Sequence, residues 1–409
     1  MLLKHKYSAS DHLFFCLIAI SVIYVIETLF GVAHLTVISL ILTLYYFYLL
    51  LFKFSKSKNS LNNSLVYVGL LLWTAVILIR GFNIEETYIS NLFLSQYIFL
   101  PFTFPFVVRC FSSIDIKRIP LIIHYINIIY LFFVFAYILK GSIDPSKSTA
   151  FTEIINKFFA YPNFLLLFSI KLQSRKIKIL SIIVFFSGLF LSIINARRGM
   201  VLTFSSAGII SIILYFFDSK KYVLKNIAFY LSIALLFIVG YSIYMYYQQQ
   251  VFGKLLDRIN EDTRSSVIND FNRDMTSYDF VVGKGIGGTY RVRDYAWVDN
   301  AVKSNQRDGI EEGYLDIILH GGYIYLILLL LIYCFAMYQG FFKSNNVMAK
   351  AFAAFILLHI LELYPSGNLL FNVRYLLIWF SVAMCYNKNI LRASNNQIVS
   401  LFMHARKLN

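Results

Sequence analysis

Residues 246–326 read YYQQQVFGKLLDRINEDTRSSVINDFNRDMTSYDFVVGKGIGGTYRVRDYAWVDNAVKSNQRDGIEEGYLDIILHGGYIYL. About sixty residues pass here without an apolar run long enough to cross a bilayer, which takes about 20 residues. Acidic and basic side chains mix throughout, and the chain re-enters apolar sequence through Glu311, Glu312, Gly313, Tyr314 and Leu315. Almost everything else is apolar runs separated by a few polar residues. The rest of the chain therefore reads as a membrane scaffold that holds this long hydrophilic loop at one face.

Composition supports that reading. Of 409 residues, 59 % are hydrophobic and 14 % charged, against roughly 25 % charged in a soluble protein. The formal charge of +16 would suggest nucleic acid in a soluble chain, but most of the excess Lys and Arg lies in short loops between apolar runs, where it signals orientation. Between residues 251 and 310, nine Lys or Arg stand against eight Asp and one Glu, a balance that argues against nucleic acid. Cys16, Cys110, Cys334 and Cys385 fall in or beside apolar runs and form no CxxC pair, so neither a disulfide framework nor a zinc site is indicated. The first run reads as a retained helix, not a cleaved signal peptide.

The expected fold is all-α: a polytopic integral membrane protein with about twelve transmembrane helices and one long extracytoplasmic loop. The spans centre on 13–32, 35–52, 64–80, 91–109, 120–139, 155–171, 178–195, 200–217, 226–246, 314–339, 349–364 and 371–387. Pro101 and Pro105 predict a kink or half-helix in the fourth, and Lys157, Pro162 and Asn163 weaken the sixth. Three regions follow: nine helices in 1–246, the loop 247–311, and three helices with a tail in 312–409. Basic residues mark alternate segments, from Lys4 and Lys6 through Lys53, Lys117, Lys171, Lys220 and Lys343 to Lys388 and Arg392. Both termini are thus expected in the cytoplasm and the long loop outside. Lys140, Lys147 and the Arg197–Arg198 pair run against the rule.

That pair sits between two spans at the expected outer face. Guanidinium binds phosphate bidentately and keeps its charge, so one reading is a site for a lipid-linked phosphate. The other is snorkelling to headgroups, or pairing with a loop carboxylate. Arg80 ends the third span and Arg374 begins the twelfth, each an interfacial anchor or a member of a basic outer cluster with Arg291 and Arg293. Glu312, Asp316 and His320 are spaced by four and drift slowly around one helix face. Glu311 or Glu312 can serve as general base for a sugar hydroxyl or merely complement the helix dipole. His320 is either a direct participant or a hydrogen-bonded packing residue.

GKGIGG at 283–288 matches GxGxxG formally, but no βαβ pattern surrounds it. Its glycines are expected to permit a tight turn with exposed amides. Tyr290, Tyr295 and Trp297 can stack on sugars or anchor at an interface. His124, His359 and Glu362 form no recognisable metal-ligand set.

The span plan, the Arg pair, GKGIGGTY and the later EEGYLDIILHGGYIYL together resemble the bacterial O-antigen polymerase and O-antigen ligase superfamily, the Wzy-type polymerases in particular. Ligases of that superfamily look like His-Asn-x-Tyr-Leu followed by Gly-x-Ile-Gly-Leu. Aligning Tyr314 and Leu315 puts Glu311 at the ligase histidine, and Tyr325 where a glycine is common, which favours a polymerase. The resemblance implies transfer of a polyprenyl-pyrophosphate-linked oligosaccharide to a lipid-linked repeat unit, at the outer face of the bacterial cytoplasmic (inner) membrane. It implies no cofactor and no metal, with membrane lipid and a chain-length regulator protein as partners. Arg197, Arg198 and a loop arginine would meet the departing pyrophosphate. An O-antigen ligase is the nearer alternative. A lipid-linked oligosaccharide flippase is the other, and it would more typically show two related halves.

Overall fold

An apolar segment in lipid must satisfy its own backbone polar groups, and a helix does so within one stretch of chain. The computed structural model describes residues 9–30, 36–52, 61, 64–80, 100–112, 115–139, 151–195, 197–217, 265–292, 306–364 and 370–407, and it is almost entirely helical. Among the described residues, five helices are long and apolar enough to cross a membrane: Ser10–Glu27, Ile119–Leu139, Arg175–Ile194, Arg198–Phe216 and Gly313–Phe342. Shorter apolar helices are Val37–Phe52, Leu65–Ile79, Leu100–Cys110 and Val373–Cys385. The expected ninth span lies outside the described residues, as do Arg293, Tyr295 and Trp297.

The chain divides into two compact units, Met1–Ile122 with Thr263–Asn409, and Ile123–Asp262. In the second unit the segment expected to be the sixth span takes an irregular course. A π-helical turn at Asn156–Ala160 leads through Pro162 into the short helix Asn163–Phe168. Its polar residues turn inward and are satisfied there. Asn156 Nδ2 donates to Ser192 Oγ at 3.0 Å, and Tyr130 Oη donates to Asn156 Oδ1 at 3.1 Å. Asn163 Oδ1 accepts from Asn127 Nδ2 at 2.8 Å and from Ser181 Oγ at 2.7 Å. Polar side chains bonded across packed helices in this way hold an apolar assembly in register.

In the first unit, Gly313–Phe342 packs against Leu65–Ile79, Val347–Glu362 and Val373–Cys385. It is not one continuous helix. Gly322 has φ 66° and ψ −177°, a backbone region essentially restricted to glycine. The break would orphan the last carbonyls of the piece before it. The last three have donors: Lys284 N to Leu319 O at 2.7 Å and Gly285 N to His320 O at 3.0 Å, with Trp73 Nε1 to Gly321 O at 2.8 Å. Ile286 N reaches Ile77 O at 3.1 Å and Arg80 O at 3.0 Å, closing the end of Leu65–Ile79 as well. The glycine-rich loop is therefore a plug for two helix ends. Its amides at 284–286 are not exposed, as the sequence suggested, but spent on helix carbonyls.

The close approach explains the glycines. A Cβ on Gly322 would lie 2.2 Å from Val281 O, and one on Gly285, with φ 80°, 2.1 Å from Arg80 O. Gly322→Ala is expected to cost about 2–6 kcal/mol, the sum of backbone strain and overpacking. Thermal unfolding in detergent checks this against Gly69→Ala, whose added Cβ meets only Leu328 Cδ2 at 3.7 Å. Equal melting temperatures would rule out the interlock.

The described part of the long loop is folded rather than extended. Ser265–Asp274 is followed by Ser277–Val282, which starts with a capping box between Thr276 and Asp279. The strands Tyr290–Arg291 and Gln306–Arg307 pair antiparallel, a departure from an all-helical chain. Phe271, Met275, Tyr290, Val292 and Ile310 form a small core with Leu315, Ile318 and Leu319 of the broken helix. The loop is thereby seated on the half-helix Gly313–Gly321.

Candidate active site

Glu312 occupies the N-cap position of the broken helix, where its carbonyl accepts from Leu315 N and Asp316 N, each at 3.0 Å. Its side chain makes no capping bond, and it is 3 % exposed, whereas the neighbouring Glu311 is exposed. The spacing of four then places Asp316 and His320, both buried, one and two turns further on. His320 Nδ1 bonds to Gly285 O at 3.0 Å, and Nε2 stands 3.8 Å from Asp316 Oδ1. His320 thus joins the glycine plug to the acidic stripe.

The loop contributes charges to the same place. Tyr290 Oη donates to Gly309 O at 3.3 Å. Burial pushes the Tyr290 phenol up to about 12, Arg307 opposes the shift, and Glu312, Asp316 and Asp270 add to it. At neutral pH Tyr290 is therefore a neutral donor amid three carboxylates and one guanidinium. Tyr290 is fully buried and edge-on to Phe271, with ring centroids 5.7 Å apart. It is not open for stacking on a sugar.

Arg374 is no interfacial anchor. It is 0 % exposed and pairs with Glu362, which is equally buried. The ring of Tyr375 lies 5.3 Å from Arg374 Cζ and in the electrostatic field of Glu362 and Asp316. His359 meets the Tyr375 and Tyr333 rings edge-on at 5.3 and 5.6 Å. Buried charge survives only when paired and hydrogen-bonded, so the Glu362–Arg374 pair and the buried carboxylates Glu312 and Asp316 are costly features of the unit. They can accept a proton at a carboxylate and stabilise negative charge at a guanidinium.

The other expected residues are placed as follows. Arg80 closes Leu65–Ile79, and its guanidinium lies 5.1 Å from the Tyr278 ring centroid. Arg291 is exposed on its strand. In the second unit, Arg197 Nη1 lies 2.9 Å from Glu153 Oε2, and Glu153 Oε1 accepts from Lys157 Nζ at 2.6 Å. Arg197 thus takes a carboxylate partner, while Arg198 opens the helix Arg198–Phe217.

Asp270, Arg307 and the pairing of Glu362 escaped the sequence reading. A signal existed for the last: Glu362 and Arg374 are opposite charges at the facing ends of consecutive apolar runs, so a hairpin between those runs brings them together. Asp270 and Arg307 lay among many charges in the loop, with no period to single them out. No protein-family model matches the chain, and no curated protein or solved structure does so.

Proposed function

We propose that the chain is a multi-pass membrane polymerase of polysaccharide repeat units, working on polyprenyl-pyrophosphate-linked glycans at the outer face of the bacterial inner membrane. In this reading about twelve spans carry both termini in the cytoplasm, and the loop 247–311 is extracytoplasmic. The observation that supports it best is the buried stripe Glu312–Asp316–His320 beneath a folded loop, in a unit that also holds the buried Arg374–Glu362 pair. Glycan transfer needs a base and a cation at one place. The acceptor hydroxyl oxygen attacks the anomeric carbon of the donor sugar, and the bond from that carbon to the pyrophosphate oxygen breaks. The pyrophosphate leaves with the electron pair. Glu312, or Asp316 one turn on, takes the hydroxyl proton, and Arg307 meets the developing negative charge. In the second unit, Arg197 and Arg198 are proposed contacts for a lipid-linked phosphate.

A second reading draws on the broken helix, because transporters bind substrates and ions at discontinuous helices. Here, however, the carbonyls of Leu319, His320 and Gly321 are taken by Lys284 N, Gly285 N and Trp73 Nε1, which leaves them poor ion ligands. The transfer reading is preferred for that reason.

Gene deletion and size display of the surface polysaccharide test it. Single repeats attached to the anchor, with long chains restored by the wild-type gene, are the expected outcome. Loss of all attached repeats points to a ligase, and repeats retained on the cytoplasmic side point to a flippase.

A further inference from the structure

A second feature of the loop takes no part in the proton transfer described above. An open cleft of about 380 Å³ lies beside the two-stranded ladder, lined by Asp274, Lys284, Thr289, Tyr290, Arg291, Gln306 and the Gly287–Gly288 backbone. We infer that this cleft is a saccharide subsite that holds one to a few sugar units of a substrate glycan. Its substrate class rests on the glycan-transfer reading.

The volume is near the lower end of the roughly 300–1,000 Å³ typical of small-molecule sites, and the lining is polar, which suits a short saccharide and not a lipid chain. Charge selects further. Lys284 Nζ is committed to Asp274 Oδ2 at 2.8 Å and to Thr289 O at 2.9 Å, so its charge is already balanced, which leaves Arg291 as the cleft's second cation against the two or more charges of a pyrophosphate. Sugar hydroxyls both donate and accept, and they call for mixed partners close together. Asp274 supplies acceptors and Arg291 supplies donors. Thr289 Oγ1 donates to Gln306 Oε1 at 3.2 Å, which orients the Gln306 amide nitrogen as a further donor. The floor of the cleft is tied to the broken helix. The backbone of Lys284 is tied to Leu319 O, and Tyr290, itself a lining residue, carries a buried phenol that feels Glu312 and Asp316. A sugar seated here is registered against the same half-helix that carries the proposed base.

The test uses the full-length protein in lipid nanodiscs with two probes: the free repeat-unit oligosaccharide released by mild acid, and inorganic pyrophosphate. Gln306→Ala and Arg291→Gln alter exposed side chains outside the loop core and leave the fold intact. Each is expected to weaken oligosaccharide binding about tenfold, the value of one lost hydrogen bond to a charged or well-oriented group. Each should also raise KM for the lipid-linked repeat with little change in kcat. Absence of oligosaccharide binding to the wild type, or equal binding by both variants, overturns the subsite. Pyrophosphate binding that Arg291→Gln abolishes, without any saccharide binding, overturns it in favour of an anion site. Oligosaccharide binding that the variants weaken, in a protein that forms no polymer, upholds the cleft while the transfer reading falls.

Discussion

Glu312→Gln is expected to slow polymer formation about 10²–10⁴-fold while the protein stays folded, which is the usual contribution of a positioned general base. The substitution keeps size and shape and removes only the carboxylate to which the proposed mechanism gives the proton. The competing role for Glu312 is electrostatic, as a carboxylate at a helix N-terminus worth about 0.3–1 kcal/mol of stability. Its geometry argues against that role alone. A capping carboxylate bonds to the first amides of its helix, and Glu312 makes no such side-chain bond. Glu311 supplies the control, since it carries the same charge one residue away and is exposed. Glu311→Gln should change the rate less than about threefold if only the buried carboxylate is chemical. The measurement is polymer formation from purified lipid-linked repeat in reconstituted membranes, normalised to folded protein. Near-normal rates for Glu312→Gln would move the base to Asp316.

Arg374→Leu is expected to destabilise the protein by about 3–5 kcal/mol, because it strands Glu362 without its counter-charge in a fully buried position. The double variant Arg374→Leu with Glu362→Leu separates structure from chemistry. Replacing both members of a buried pair by apolar groups is often close to neutral, so the double variant should recover most of the melting temperature. If Arg374 also stabilises charge in the transition state, the recovered protein stays inactive. Full activity in the double variant would assign the pair to architecture. A cycle of both single variants and the double, read by melting temperature and by rate, yields both answers.

The apolar runs made the helical character plain, because hydrophobic length and the prolines at 101, 105 and 162 act locally. Residues 100–110 form short buried turns, as a half-helix there would require. The four-residue spacing likewise placed Glu312, Asp316 and His320 on one stripe. The break at Gly322 was written in the Gly321–Gly322 doublet, but its meaning depends on a partner far away. Nothing local to GKGIGG says that its amides meet the carbonyls of two helices. Arg374 was legible as a charge beside an apolar run, not as a fully buried one, because burial is set by Val347–Glu362 packing across it. Arg197 shows the converse: its charge was conspicuous, while its partner Glu153 belonged to an ordinary-looking segment.

The plug at residues 283–286 also bears on how the protein is made. Trp73 and the carbonyls of Ile77 and Arg80 emerge from the ribosome long before the residues that satisfy them, and the bond from Trp73 to Gly321 closes a separation of 248 residues. Until the glycine segment arrives, the third apolar helix has an open end that water or the insertion machinery must serve. Closure of this junction is therefore a late event, which follows delivery of the loop and of Gly313–Phe342. A chain truncated before residue 283 is expected to leave that helix end open, and protease resistance near Arg80 should rise once the chain includes Gly322.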